Sequence, residues 1–251
     1  MSESDSSHEG ANPGPFPVTR WSAVVEAGRE NSPGAMDAFG RLYTAYRGPL
    51  LAFIRRSGNS ETEAQDLLQG FFTFLLQKGS LSTVDRRGKF RSWLLKSLKH
   101  YMSDEWDKSR ARKRGGGQKD LALDAEDEEG GTLQAPDSGR TPDEEYDRQF
   151  ALRFLELVQE ALAEDYRLSG KSKLYQHLKP FLVERKGELS HDELSAQLDM
   201  TPGSVTKAIS RLRERYRDIF NSQLQVMVGE GGDLEEERRF MLLALSPVRR
   251  P

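Results

Sequence analysis

Two groups of cations in this chain have the spacing of nucleic-acid contacts. In SHDELSAQLDMTPGSVTKAISRLRERYRDIF (190–220), Lys207, Ser210 and Arg211 share one helical face with Gly203, flanked by Ser204, Thr206 and Arg217. Val205, Ile209, Leu212 and Tyr216 form a narrow apolar stripe opposite, at the i, i+4, i+7, i+11 spacing. A helix with a thin apolar seam and small polar or basic groups across from it can enter a major groove, where cations meet phosphates and short side chains reach base edges. A solvated helical hairpin with a basic flank shares part of this pattern, so the rest of the chain has to decide.

The second group lies in KFRSWLLKSLKHYMSDEWDKSRARKR (89–114). Arg91, Lys96, Lys99, Lys108, Arg110, Arg112, Lys113 and Arg114 make a basic track interleaved with Trp93, Tyr101 and Trp106. Cations neutralise phosphates and rings hold unstacked bases, each stacked base contributing roughly 1–3 kcal/mol. Phe90, Trp93, Leu94, Leu98 and Met102 supply a buried side, which makes Trp93 core and leaves Tyr101 and Trp106 open. A third segment, EAQDLLQGFFTFLL (63–76), has apolar residues over more than one face and a polar edge at Asp66 and Gln69. An ordinary core helix with a solvated edge explains it, and so does a helix that docks on a protein.

These segments need helices to position them, and the punctuation supplies helices throughout. Ser190 with Glu193 has the capping-box spacing and starts a helix at His191, on which Leu194 and Leu198 face inward. Asp199-Met200 makes the turn, and Thr201-Pro202 gives the next helix its N-cap and first-turn proline. Upstream, Thr19 caps a helix with Trp21, Val24 and Val25; Phe39, Leu42, Tyr43 and Tyr46 mark another, interrupted at Gly48-Pro49. Leu50, Leu51, Phe53 and Ile54 continue to a stop at Gly58, and Ser60 caps the helix of Ala64, Leu67, Leu68, Phe71 and Leu75. A helix from about Phe90 to Trp106 follows a loop at 79–89. Thr141-Pro142 with Glu144 opens a helix that buries Phe150, Phe154, Leu157, Val158 and Ala161. Leu174, Leu178, Phe181 and Leu182 give one more, disturbed by Pro180. No strand-like alternation and no internal repeat occur.

Charge is segregated. Residues 119–147 hold eleven acids against two bases, so the net charge of −3 conceals a positive remainder. No cysteine is present, which excludes disulfides, thiolate metal sites and cysteine nucleophiles. The apolar runs FFTFLL (71–76) and FMLLAL (240–245) are too short to span a bilayer, and the polar N-terminus lacks the order of a signal peptide. A cytoplasmic location without a membrane partner is the simplest expectation. His8, His100, His177 and His191 lack metal-ligand spacing, and Gly115–Gly117 lies in a basic run rather than before a helix. Neither an enzyme nor a cofactor is expected.

In their order, these pieces resemble the extracytoplasmic-function (ECF) type of bacterial RNA polymerase sigma factor. Asp66, Leu67 and Gln69 match the Asp-Leu-x-Gln core of that family's polymerase-docking helix. Phe90-Arg91-Ser92-Trp93-Leu94 and the basic tail to Arg114 match its promoter-melting helix; Gly203-Ser204-Val205 through Arg213 match its recognition helix. Gln-Gly-Phe-Phe at 69–72, Lys-Arg-Gly-Gly-Gly at 113–117 and the long C-terminal half look most like the branch abundant in planctomycetes. Departures are Gly70 where an acid is usual, Thr206 and Ala208 where bases are frequent, and Lys207 where a small residue is common.

The resemblance implies core RNA polymerase and promoter DNA as partners, with Asp66, Leu67 and Gln69 docking on polymerase. Arg91, Lys96, Lys99, Arg110 and Arg112 would engage the −10 element, and Ser204, Thr206, Lys207, Ser210, Arg211 and Arg213 the −35 element. Family members are commonly held by an anti-sigma protein, and nothing in these residues identifies one. The expected organisation is all-α, with two helical domains joined by a flexible acidic linker. A disordered 1–18 precedes the docking and melting domain at 19–114, then the linker at 115–140. A helix-turn-helix domain follows at 141–222, then an extension at 223–251, whose DLEEERRFMLLAL (233–245) reads as a short amphipathic helix or as unstructured decoration. The rival reading is a helix-turn-helix transcription regulator that is not a sigma factor; it leaves the docking helix and the 89–114 track unexplained.

Overall fold

The computed structural model describes residues 24, 26–28, 33–79, 81, 89–115, 139–182, 191–228 and 232–247. Every regular element among them is helical: α1 (Ala35–Arg56), α2 (Glu61–Gln77), α3 (Phe90–Gly115), α4 (Pro142–Leu168), α5 (Ser172–Leu178), a 3-10 turn (Lys179–Leu182), α6 (His191–Leu198), α7 (Pro202–Val228) and α8 (Leu234–Leu245). The expectations for 1–18, for Thr19 and Trp21, for most of the 115–140 linker and for the Ser190 cap fall outside the described residues.

The chain divides into two compact units. One comprises Thr19–Phe154 with Val228–Pro251; the other comprises Leu155–Met227 together with Met1–Val18. The division falls inside α4, so the first turns of that helix, along with α8, belong to the unit that holds α1, α2 and α3.

In that unit, α1 runs unbroken through Gly48-Pro49, where an interruption was expected. Proline removes one backbone donor, yet Tyr46, Pro49, Leu50, Phe53 and Ile54 are all buried, and packing on both sides of the proline outweighs the lost bond. The helix stops where glycine allows it, at Gly58 with φ of 95°. Ser60 then makes a full capping box with Glu63: its hydroxyl accepts from the Glu63 amide at 3.4 Å, and its own amide donates to the Glu63 carboxylate at 2.9 Å. The hydroxyl also donates to the Glu63 carboxylate at 2.7 Å, which, with the amide, holds that carboxyl below its usual range. An aromatic cluster closes the core, with Phe39 edge-on to Phe72 at 5.8 Å, Tyr46 edge-on to Phe90 at 5.4 Å, and Tyr46 stacked on Phe150 at 5.7 Å.

α3 extends past the expected end at Trp106 to Gly115, and α7 continues through Asn221 to Val228. Ile219 just before that added stretch and Leu224 on it are buried, so the apolar seam carries on into it. In the 155–227 unit, Tyr175 donates its hydroxyl to the Gln159 carbonyl at 3.3 Å and packs its ring 5.6 Å from Tyr166. α8 is a helix with a strong start: Asp233 accepts from the amides of Glu235 and Glu236 at 2.9 and 3.1 Å, ahead of three glutamates in the first turn.

Candidate nucleic-acid interface

The turn and the second helix of the helix-turn-helix form as their punctuation predicts. α6 begins at His191, and Asp199 takes the left-handed conformation at its end, with φ of 52°. Aspartate tolerates that region better than most side chains, and the Met200 amide closes the turn on the Ser195 carbonyl at 3.0 Å. Thr201 caps α7 by accepting from the Ser204 amide at 3.2 Å. Val205, Ile209 and Leu212 are buried and Tyr216 is half-buried, which leaves Gly203, Ser204, Thr206, Lys207, Ser210, Arg211 and Arg217 exposed on the other face.

Among the residues expected on the −35 element, the structure separates two roles. Ser204 and Thr206 are exposed, but their hydroxyls are engaged locally, Ser204 with Thr201 at 2.9 Å and Thr206 with the Pro202 carbonyl at 3.0 Å. Arg213 is exposed, yet its guanidinium is engaged, donating twice to the Phe181 carbonyl at 3.0 and 2.8 Å. That carbonyl lies in the 3-10 turn Lys179–Leu182, so Arg213 ties α7 to that turn, a role invisible in the sequence because its acceptor is backbone. Arg215, which sequence reasoning did not single out, makes a bidentate pair with Asp165 at 2.9 and 2.6 Å. Lys207 and Arg211 stand at the rim of a cleft of about 520 Å³ lined also by Asp165, Tyr166, Leu174 and Met200. Thr206, Ser210 and Arg217 line a smaller one of about 210 Å³. The exposed face is therefore basic and grooved on both sides, and its frame is fixed by Arg213 and Arg215.

Along α3 the expected −10 contacts diverge more sharply. Lys96 is exposed; Lys99 is exposed but paired with Asp143 at 2.5 Å. Arg110 lies over the Trp106 ring at 4.4 Å, and that ring is 60% exposed, the one aromatic of the track displayed to solvent. Arg112 is in the helix, with its side chain outside the described residues. Arg91 is only 6% exposed. It pairs with Glu237 of α8 and lies over the rings of Phe240 at 3.8 Å and Phe150 at 5.6 Å. The sequence placed Arg91 on a DNA-facing track; in this structure a helix from the far end of the chain covers it. No local signal names that partner, because the glutamates of α8 read as ordinary first-turn acids.

Tyr101 also resolves as packing. Its ring lies 5.7 Å from Phe71 and 5.4 Å from Phe74, and burial raises its hydroxyl above the usual range. A Cβ at Gly70 would overlap the Tyr101 hydroxyl, which gives the missing acid at that position a steric cause. On the outer side of α2, Asp66 and Gln69 are exposed and Leu67 is half-buried, a small polar patch with an apolar edge.

The described residues thus set a helix-turn-helix in one unit and a basic, tryptophan-bearing helix in the other. The comparison with known families sharpens this: residues 42–112 match the Sigma-70 region 2 family model. That span begins in α1 and takes in α2 and nearly all of α3, so this part of the chain is similar to Sigma-70 region 2. No curated protein and no solved structure matches the chain.

Proposed function

We propose that this chain is a sigma factor of the extracytoplasmic-function type, from the branch abundant in planctomycetes, acting on core RNA polymerase and promoter DNA in the cytoplasm. The observation that carries the reading is the Sigma-70 region 2 match over 42–112, joined in one chain to a helix-turn-helix in a separate unit. In this reading the exposed edge of Asp66, Leu67 and Gln69 on α2 docks on polymerase. α3 engages the −10 element, with Lys96, Lys99, Arg110 and Arg112 on phosphates and Trp106 available to an unstacked base. Lys207, Ser210 and Arg211 on α7 meet the −35 element in the major groove, with Ser204 and Thr206 beside them. Arg213 is reassigned from DNA contact to positioning. The protein makes and breaks no bond; it contributes binding free energy that positions polymerase and offsets the unpairing of bases.

Reconstituted transcription is the decisive experiment. Core polymerase with this chain should initiate from promoter-containing genomic fragments; a helix-turn-helix regulator would give no transcript without another sigma factor. Asp66→Ala with Gln69→Ala should weaken polymerase binding while leaving the helical circular dichroism unchanged. Unchanged affinity would remove the docking role from this edge.

A further inference from the structure

α3 starts badly for a helix. Lys89 precedes it and Arg91 sits in its first turn, where no acid is present, so cations crowd the positive end of the helix dipole. The missing anions come from α8. The Glu236 carboxylate reaches Lys89 at 2.8 Å; that of Glu237 pairs with Arg91 through one oxygen and lies 3.2 Å from Lys89 through the other. Farther along α3, Asp143 holds Lys99. Glu237 is buried to 1% exposure, and Tyr146 fixes the backbone beneath the seat by donating to the Arg91 carbonyl at 3.0 Å.

The apolar hold on α8 is thinner, with the Phe240 ring 6.2 Å from Phe150. Met241 is its one buried apolar residue, Phe240 covers the Arg91 guanidinium, and Leu242 and Leu243 are 70% and 65% exposed. At its end, Arg140 donates to the Ser246 carbonyl at 3.1 Å. A helix held by carboxylates on cations, with a thin apolar seam, is exchangeable for another anion of matching geometry. Two phosphates on adjacent nucleotides offer the same chemistry, and they leave neither Arg91 nor Lys89 unpaired.

We propose that Lys89, Arg91 and Lys99 form a phosphate seat for the DNA strand, and that α8 with Asp143 fills it with carboxylates until DNA displaces them. This rests on the reading of α3 as a DNA-binding helix. It makes α8 a competitor of DNA, and linkage requires that DNA loosen α8 as much as α8 weakens DNA.

The test uses the full chain and a fluorescent single-stranded oligodeoxynucleotide of mixed sequence. Glu236→Gln with Glu237→Gln should tighten binding by about tenfold, within the range of coupling between linked sites. Hydrogen exchange should show α8 amides losing protection in the wild-type chain when the oligonucleotide binds. Because the chain has no cysteine, Arg140→Cys with Ser246→Cys can be clamped by a cleavable bis-maleimide without touching the seat. The clamped chain should bind weakly and recover on cleavage, which keeps the test valid if the double glutamine variant folds poorly. Equal binding before and after cleavage, with α8 still protected in the complex, would overturn the exchange while leaving α3 as a DNA helix. Polymerase binding without oligonucleotide binding in any form would overturn both.

Discussion

The start of α3 and the outer face of α7 carry the same kinds of side chain, and the sequence assigned both to DNA. In the folded chain Lys207 and Arg211 are exposed beside a cleft, while Arg91 is buried and Lys89 and Lys99 hold carboxylates. The difference lies in who supplies the counter-charge. On α7, the acid pairing nearby, Asp165, is taken by Arg215, which leaves the face beyond it to an external anion. On α3, acids from α4 and α8 converge on the cations from far along the chain. A basic helix is thus available or occupied according to its tertiary neighbours, whatever its own residues.

That contrast can be broken by substitution. Arg91→Ala takes from the buried Glu237 carboxylate the closer of its two cationic partners and should cost about 3 kcal/mol in chemical denaturation, whereas Lys207→Ala should stay within about 0.5 kcal/mol of the parent. Equal losses would mean that Arg91 is no more committed to the fold than Lys207. Within α7 a smaller effect separates Arg213 from Arg211. Arg213→Ala takes two donors from the Phe181 carbonyl and should cost about 1 kcal/mol of stability. Arg211→Ala should leave stability nearly unchanged and lower the salt dependence of duplex binding by roughly one unit. A reversal of those two phenotypes would return Arg213 to the DNA-facing set.

The smallest effect is a pH dependence beside Arg91. Burial raises the Asp147 carboxyl above its ordinary value; Arg91 on α3 opposes that, while Asp143 and Glu144 on α4 and Glu237 on α8 add to it. A carboxyl raised in the folded state binds protons there that the unfolded chain has released. Stability from this group is therefore present at acid pH and declines as pH rises from the ordinary carboxylate range through the raised value. Asp147→Asn should remove that decline, so its melting temperature relative to the parent should climb over that window and level off above it. A constant offset at all pH values would show that Asp147 does not titrate differently on folding.

Much of the helix framework was legible because its signals are local. Ser60 with Glu63 and Thr141 with Glu144 cap as their spacing requires, Thr201 caps α7, and the Val205–Leu212 stripe is buried as its period predicts. Pro49 was misread because a proline signals a break only when packing does not hold both sides. The extensions of α3 and α7 were missed although glycine marks both ends, at Gly115 and directly after Val228. At the candidate sites, Asp66, Gln69, Lys207, Ser210 and Arg211 stand exposed where the sequence put them. Arg91 does not, and Arg213, though exposed, spends its guanidinium on a backbone carbonyl; in each case the partner is remote or is backbone.

The sequence by itself determined that this is an all-helical chain, where most of its helices begin, and which faces carry cations, since capping and periodicity act over a few residues. Which of those cations remain open to DNA was decided only by tertiary structure. Glu237 meets Arg91 across 146 positions, a pairing set by how α8 packs and by no rule of spacing.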